Sequence, residues 1–580
     1  MMKQFLKSVL AVVCGTLVTL ILLFVVCFAF FGALLSAASS TPVLPKQGVL
    51  CIDMSKTVIA EQTMEADPLS ILNGSELSSI GILDAVRAIE QAETDPAVQY
   101  IYLKVDGNMS ELSSLEELRR SLALFRSRSG KSVIAYTEAP TTGGYYLASV
   151  CDKVFMTPHI GATTTLTGAS AQMVFMGDLL KRLGVNVQLI RHGKYKSAGE
   201  MYTRSSSSAE NREQYQRMVD SMWETLSASI SESRQISVGS LNEAIDGLKL
   251  VSPQDFVDCG LVDALLTRSE LETKLAIYAG KEDIKDVKCI SFSDYVAAKK
   301  SVSSSREKIA VIYANGEIMD GNSGVAVEGD RFASIISRVR ADSTVKAVVL
   351  RVNSPGGSVL SSEKIKCELD SLKAVKPLIA SYGSYAASGG YWISTGCDRI
   401  FTDATTLTGS IGVFGLVPDL SSLTRDKLHI SVESVNSNAH GDMYGLMRPF
   451  DNSEYAYMQS SIESVYDRFT SIVSQARSLP VETVDAVGQG RVWTGSDALR
   501  IQLVDEIGTL GDAFSYAASL AGEADLSQWN IQELPAPKSS LDQLLSRIQG
   551  SDDESVLIKA AKDLSEPKMM ARMDMQVRVR

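Results

Sequence analysis

"GGYYLASVCDKVF", residues 143–155, and "GGYWISTGCDRIF", residues 389–401, are one segment written twice, at a constant offset of 246 residues from Cys151 to Cys397 and from Asp152 to Asp398. A repeat is read first because it fixes how many cores the chain builds. Upstream, "AVQYIYLKVDG" (97–107) matches "AVVLRVNSPGG" (347–357), each after an amphipathic helical pattern: Ile82, Val86 and Ile89 in one copy, Phe332, Ile335, Ile336 and Val339 in the other. Downstream, "GEMY" (199–202) matches "GDMY" (441–444), and "GLVDAL" (260–265) matches "QLVDEI" (502–507). Two tandem homologous domains follow, 46–285 and 306–525. Residues 286–305 are read as a linker, running into "SVSSSREK" (301–308), and 526–580 as a tail without assignable chemistry.

Within each copy, helical patterns alternate with β-rich runs at 97–105 and 132–137, then 346–353 and 377–382. Such alternation predicts parallel strands joined by crossover helices, an α/β architecture. Met218, Met222 and Leu226, like Ile462, Val465 and Phe469, recur at helical spacing and read as packing faces.

From Ser8 to Pro45 no side chain is charged, and "VLAVVCGTLVTLILLFVVCFAFFGALL" (9–35) lies in that window. The run exceeds the roughly 20 apolar residues that cross a bilayer core and the apolar region of a cleaved signal peptide. Residues 1–45 are therefore expected to be a cytoplasmic stub and an uncleaved transmembrane signal anchor, with cleavage near Ala38 as the alternative. Lys3 and Lys7 precede the run, which orients the N-terminus to the cytoplasm and the rest of the chain outside it. The net charge of -12 argues against a nucleic-acid surface. No CxxC pair, few histidines and no GxxxxGK[ST] loop leave neither zinc nor nucleotide expected, so no cofactor or metal is assigned. The cysteines read as small buried hydrophobes, with a disulfide left open.

The copies differ where chemistry would be expected. "TLTGSIGVFG" (406–415) has Ser410 where "TLTGASAQMVF" (165–175) has Ala169, and "NSPGGSV" (353–359) faces "DGNMSEL" (106–112). Lys196 of "GKYKSAGE" (193–200) falls opposite Asn438. A serine hydroxyl needs a base, and a desolvated lysine can be one. A glycine pair can aim backbone N–H groups at an oxyanion. Ser410 as nucleophile, Lys196 as base, and Gly356 and Gly357 as oxyanion donors thus occur once each, divided between the copies, which implies a composite site.

"TLTGSIGVFG", "NSPGGS", "ASGGYWIS" and "GKYKSA" resemble the motifs of the signal peptide peptidase A (protease IV) family in its long, tandem-domain bacterial form. The resemblance covers 46–525 and the anchor. It implies a crotonase/Clp-protease-like fold in each half, a Ser/Lys dyad at Ser410 and Lys196, and oxyanion donors at Gly356 and Gly357. It further implies a membrane-anchored homo-oligomer, a tetramer, that degrades apolar signal peptides at the outer side of the cytoplasmic membrane. Ser388, in "AASGGYW", is the rival nucleophile, read as a helix-start or packing residue. Lys194 is the control for Lys196, and His159, His192, His429 and His440 fit no triad motif. Two other readings stand beside the peptidase: a crotonase-like enzyme of acyl thioesters, and a non-catalytic membrane scaffold.

Overall fold

The computed structural model describes residues 2–38, 42–64, 77–161, 164–300, 305–321, 326–537, 568–573 and 577–578. The sequence repeat becomes two sheets of the same strand order. The first runs Cys289–Ser291, Gly48–Asp53, Val98–Lys104, Val133–Thr137, Lys153–Met156, Ala264–Leu265, with every neighbouring pair parallel. The second runs Asn530–Leu534, Lys308–Asn315, Val345–Ser354, Leu378–Ala387, Arg399–Thr402, Glu506–Ile507, again parallel. Leu407–Gly409 and Val492–Thr494 branch from the far end of Leu378–Ala387.

The expected α/β architecture follows from burial on both sheet faces. All five residues of Val133–Thr137 are buried, and in Val345–Ser354 only Lys346 is exposed. Such strands read as continuous apolar runs and need helices above and below. Those helices include Ile82–Thr94 and Leu112–Ser129 in one half, Gly329–Ala341 and Val359–Lys373 in the other. The duplicated aspartates hold strand starts: Asp152 accepts from Val133 N and Asp398 from Leu378 N.

Both sheets extend beyond the segments the sequence marks as domains. Cys289–Ser291, in the stretch read as linker, pairs with Gly48–Asp53, and Asn530–Leu534, in the stretch read as tail, pairs with Lys308–Asn315. Each half closes on an equivalent edge strand too short to show alternation. Of the expected linker, 301–304 lie outside the described residues; of the tail, 538–567, 574–576 and 579–580 do. Cys51 and Cys289 form a disulfide across the first edge. Cys151 and Cys397 are buried thiols, and burial pushes each up to about 12.

Residues Met2–Ala38 form one helix, of which the side chains of residues 7–23, 25 and 26 are described. Among the described residues no helix is long and apolar enough to cross a membrane.

The halves meet through a buried ionic layer. Arg351, 1 % exposed, pairs with Glu61 at 2.6 Å and Glu117 at 2.9 Å, both from the first half. Glu116 accepts from the backbone of Ala404 and from both the amide and hydroxyl of Thr405, while Glu117 accepts from Leu510 N. Asp403 lies 3.5 Å from Arg120. Burial, reinforced by Glu117 and Glu116, pushes the Asp403 carboxyl well above the carboxylate range.

Candidate active site

A third sheet joins the halves. Its order is Val327–Glu328, Ile318–Met319, Gly356–Ser358, Lys568–Arg572, Val413–Asp419, Asn186–His192. The last two strands pair antiparallel from Val413 with His192 to Asp419 with Asn186, so the first half contributes a strand to a sheet of the second. The chain then turns at Gly193, φ +99°, where Tyr195 N donates to Gln489 O at 2.9 Å. A methyl on Gly490 would lie 2.5 Å from Lys196 Cβ, so glycine there allows the close passage of the two chains.

This turn buries Lys196 to 1 % exposure. Its Nζ donates to Ser388 Oγ at 2.9 Å, Ser410 Oγ at 3.0 Å and Ser410 O at 3.4 Å. Lys196 and Ser410, expected together from the sequence, are within hydrogen-bond reach; so is Ser388. Lys194 is instead exposed, its Nζ 5.1 Å from the Tyr195 ring, and His192 stacks on Tyr466 at 3.8 Å.

The two serines differ in setting. Ser388 ends the Leu378–Ala387 strand and opens the Gly389–Ser394 helix with φ 55°, ψ −112°, outside the regions L-residues normally populate. Ser388 is buried and opens that helix without a side-chain cap bond, its hydroxyl accepting from Lys196 Nζ instead. Ser410 follows Gly409, has φ 50°, and its N donates to Arg491 O at 2.7 Å.

Gly356 and Gly357 lie beside Ser388. A methyl on Gly356 would lie 2.6 Å from Gly389 N, and one on Gly389 would lie 3.1 Å from Gly357 N. Gly356 N donates to Ser354 Oγ at 3.2 Å. The Gly357 and Gly389 backbone nitrogens are thus neighbours at the strand-to-helix turn that carries Ser388, an arrangement suited to an anion developing near that hydroxyl.

Comparison of the two copies does not single out Ser388, because the 246-residue offset sets it opposite Thr142, another hydroxyl, whereas Ser410 faces an alanine. In the first half Thr141 caps Gly144 N, and Thr142 bonds Thr165 O and Thr167 N, so that turn is engaged in local bonds. The signal that could have found Ser388 was its place between a buried strand and a glycine-opened helix.

A cavity of 610 Å³ adjoins the site, with Lys196, Ser410, Met173, Tyr215, Val492 and Met573 among its lining. Among the described residues His440, Asp451 and Glu454 form one group with metal-ligand spacing. Arg448 bonds both carboxylate oxygens of Glu454, and Asp451 caps the Asn452–Arg477 helix, so the cluster is an ion-pair network.

Residues 126–281 and 370–523 each match the profile of peptidase family S49. Protease 4 of Haemophilus influenzae is 34 % identical over 507 residues, which cover 84 % of this chain and 81 % of the relative. Protease 4 of Salmonella typhi is 35 % identical over 523 residues, 87 % of this chain and 83 % of that one. A chloroplastic serine protease SPPA of Arabidopsis thaliana is 30 % identical over 474 residues, 80 % of this chain and 69 % of the relative.

Proposed function

The chain belongs to peptidase family S49 and is a serine peptidase, and on that premise we propose that Ser388 is its nucleophile, Lys196 its general base and Ser410 the hydroxyl that orients the lysine. The observation that carries this reading is the strained turn at Ser388 beside Gly357 and Gly389. It moves the nucleophile from Ser410, the residue expected from the sequence, to the other hydroxyl within reach of Lys196.

Burial disfavours the ammonium form of a lysine, which is what a base at neutral pH requires. Neutral Lys196 takes the Ser388 proton as Oγ attacks the peptide carbonyl. Backbone N–H groups at Gly357 and Gly389, with Gly356 shaping the turn, hold the oxyanion. The lysine then protonates the leaving amine, and water, activated by the same lysine, hydrolyses the ester. Ser410 Oγ keeps Nζ aimed between these steps.

The finer reading is a tandem crotonase/Clp-protease-like enzyme, in domains near 46–285 and 306–525, anchored by its N-terminal apolar run and assembled as a homo-tetramer. It degrades signal peptides and other apolar peptides outside the cytoplasmic membrane. The Cys51–Cys289 disulfide supports an oxidising compartment, and Met173, Tyr215, Val492 and Met573 give a cavity that also holds Glu111, Glu200 and Arg572 an apolar wall suited to apolar side chains. The thioester and scaffold alternatives have no observation in their favour.

Hydrolysis of a fluorogenic apolar peptide by the full-length protein tests the assignment. Ser388→Ala and Lys196→Ala should abolish turnover in folded protein, while Ser410→Ala should retain a reduced rate. Full activity in Ser388→Ala would overturn it.

A further inference from the structure

Glu111 occupies a helix-cap position and does not cap. "DGNMSEL" (106–112) and "NSPGGSV" (353–359) are counterparts in the two halves, which sets Glu111 opposite Ser358. Ser358 behaves as a residue before a helix usually does: its Oγ accepts from Ser361 N at 3.2 Å and so starts Val359–Lys373. Glu111 precedes Leu112–Ser129 in the same place, yet its side chain makes no cap bond. The carboxylate crosses to the second half instead, where Asn353 Nδ2 donates to its Oε2 at 3.3 Å.

Asn353 fixes a small set of acceptors. It is 9 % exposed and its amide is fully engaged: Nδ2 also donates to Asn315 Oδ1 at 3.2 Å, and Oδ1 accepts from Tyr385 N at 3.1 Å. Asn315 and Asn353 are register partners on the strands Lys308–Asn315 and Val345–Ser354. One buried amide thus holds the Glu111 carboxylate and the Asn315 amide oxygen side by side. Both residues line the cavity that Lys196 and Ser410 also line.

The other charged groups of that cavity have partners of opposite sign or are neutral in the proposed mechanism. Glu200 lies 3.2 Å from Arg191, and Arg572 lies 2.9 Å from Glu317. Lys196 is the neutral base. Among the described residues no lysine or arginine forms an ion pair with Glu111, and Arg351, whose charge reaches it, is already paired with Glu61 and Glu117. Burial pushes the Glu111 carboxyl up, and the Glu61 charge adds to this, against hydrogen bonds from Ser384 and Asn353. A carboxylate in such a setting is stabilised by a cation brought to it.

We infer that Glu111, with Asn315 Oδ1, is a cation subsite that takes the alkylammonium or guanidinium group of a peptide substrate while the scissile bond lies at Ser388. The inference rests on the peptidase reading above and adds to it a charged determinant of specificity. An ammonium group carries three donors and no acceptor, which suits a set of oxygens; an apolar side chain would leave those oxygens desolvated and unpaired.

The test uses the full-length protein and fluorogenic peptides in which a single lysine is moved one position at a time. Each is compared with the same peptide carrying acetyl-lysine there and with the same peptide acetylated only at its N-terminus. For one placement of the charge, the cationic peptide should exceed its acetylated counterpart by about tenfold or more in kcat/KM, chiefly through KM. That ratio should fall to near one in Glu111→Gln, and Glu111→Lys should favour glutamate over lysine at the same position, with folding of each variant checked by circular dichroism. Loss on side-chain acetylation places a basic residue in the subsite; loss on N-terminal acetylation places the peptide's α-amino group there. Should both variants fail to fold, the comparison of lysine with acetyl-lysine in the parent decides alone. An active parent that treats charged and acetylated peptides alike at every position, or a folded Glu111→Gln that keeps the preference, overturns the inference and leaves the peptidase reading standing. A folded parent inactive toward every peptide overturns both.

Discussion

Lys196 and Ser388 are 192 positions apart in the chain and 2.9 Å apart at Nζ and Oγ. Neither half of the molecule contains the pair. It exists because Asn186–His192 of the first half pairs with Val413–Asp419 of the second and turns at Gly193. The site is therefore as stable as the contact between the halves, and several outcomes follow from the residues that make it.

Gln214 holds the lysine in register. Its Nε2 donates to Tyr195 O at 3.0 Å and Ser197 Oγ at 2.9 Å, either side of Lys196, and its Oε1 accepts from Val492 N at 3.3 Å, on the strand beside Gly409. Gln214→Leu keeps the volume and removes these bonds. Misplacing a reacting group by about 1 Å can cost on the order of 100-fold, so kcat should fall by about that factor with KM little changed. Steady-state kinetics separate the two, and an unchanged kcat would remove Gln214 from this role.

Arg351 pairs with both Glu61 and Glu117 across the contact between halves. Removing one partner of a buried pair typically costs about 3–5 kcal/mol because the other charge is stranded. Arg351→Met should lower stability by about that amount in chemical denaturation. Peptidase activity should fall in parallel with the folded fraction.

Asp403 gives a pH dependence of defined sign. Its carboxyl is raised well above its unfolded value of 3.8 by burial and by Glu117 and Glu116. The folded protein therefore binds the proton more tightly than the unfolded chain, and stability falls as pH rises from the unfolded value toward the folded one. Asp403→Asn mimics the protonated acid and has no proton to lose. Its denaturation midpoint should exceed that of the parent at pH 8, with the difference shrinking toward pH 5. An equal gain at both values would contradict this origin.

The Cys51–Cys289 bond closes a loop with a sequence separation of 238. On the chain-entropy view, a loop of that size contributes about 5 kcal/mol. Thiol reductant, or Cys51→Ser, should lower the thermal midpoint of the full-length protein, and alkylation followed by mass spectrometry should find both thiols only after reduction.

Much of this was legible in the sequence. The duplicated GGY segments gave two equivalent α/β halves, and the asymmetry of Lys196, Gly356 and Gly357 gave a site divided between them. What the sequence hid is conformational or distant. Ser388 lies in a turn whose dihedrals no local pattern specifies, and its counterpart Thr142 conceals the difference that Ala169 exposes at Ser410. Residues 568–573 carry no strand-like alternation, and they become a strand because two edges from remote parts of the chain leave a place between them. The edge strands at 289–291 and 530–534 are short for the same reason: pairing with a buried neighbour, rather than intrinsic propensity, forms them.

The central claim is that Ser388, rather than Ser410, forms the acyl-enzyme. The most direct measurement treats the full-length protein with a serine-directed fluorophosphonate, digests it and locates the adduct by mass spectrometry. The account predicts modification at Ser388, retained in Ser410→Ala at a lower rate and absent in Lys196→Ala. An adduct on Ser410 in the parent protein, with Ser388 unmodified, would contradict it.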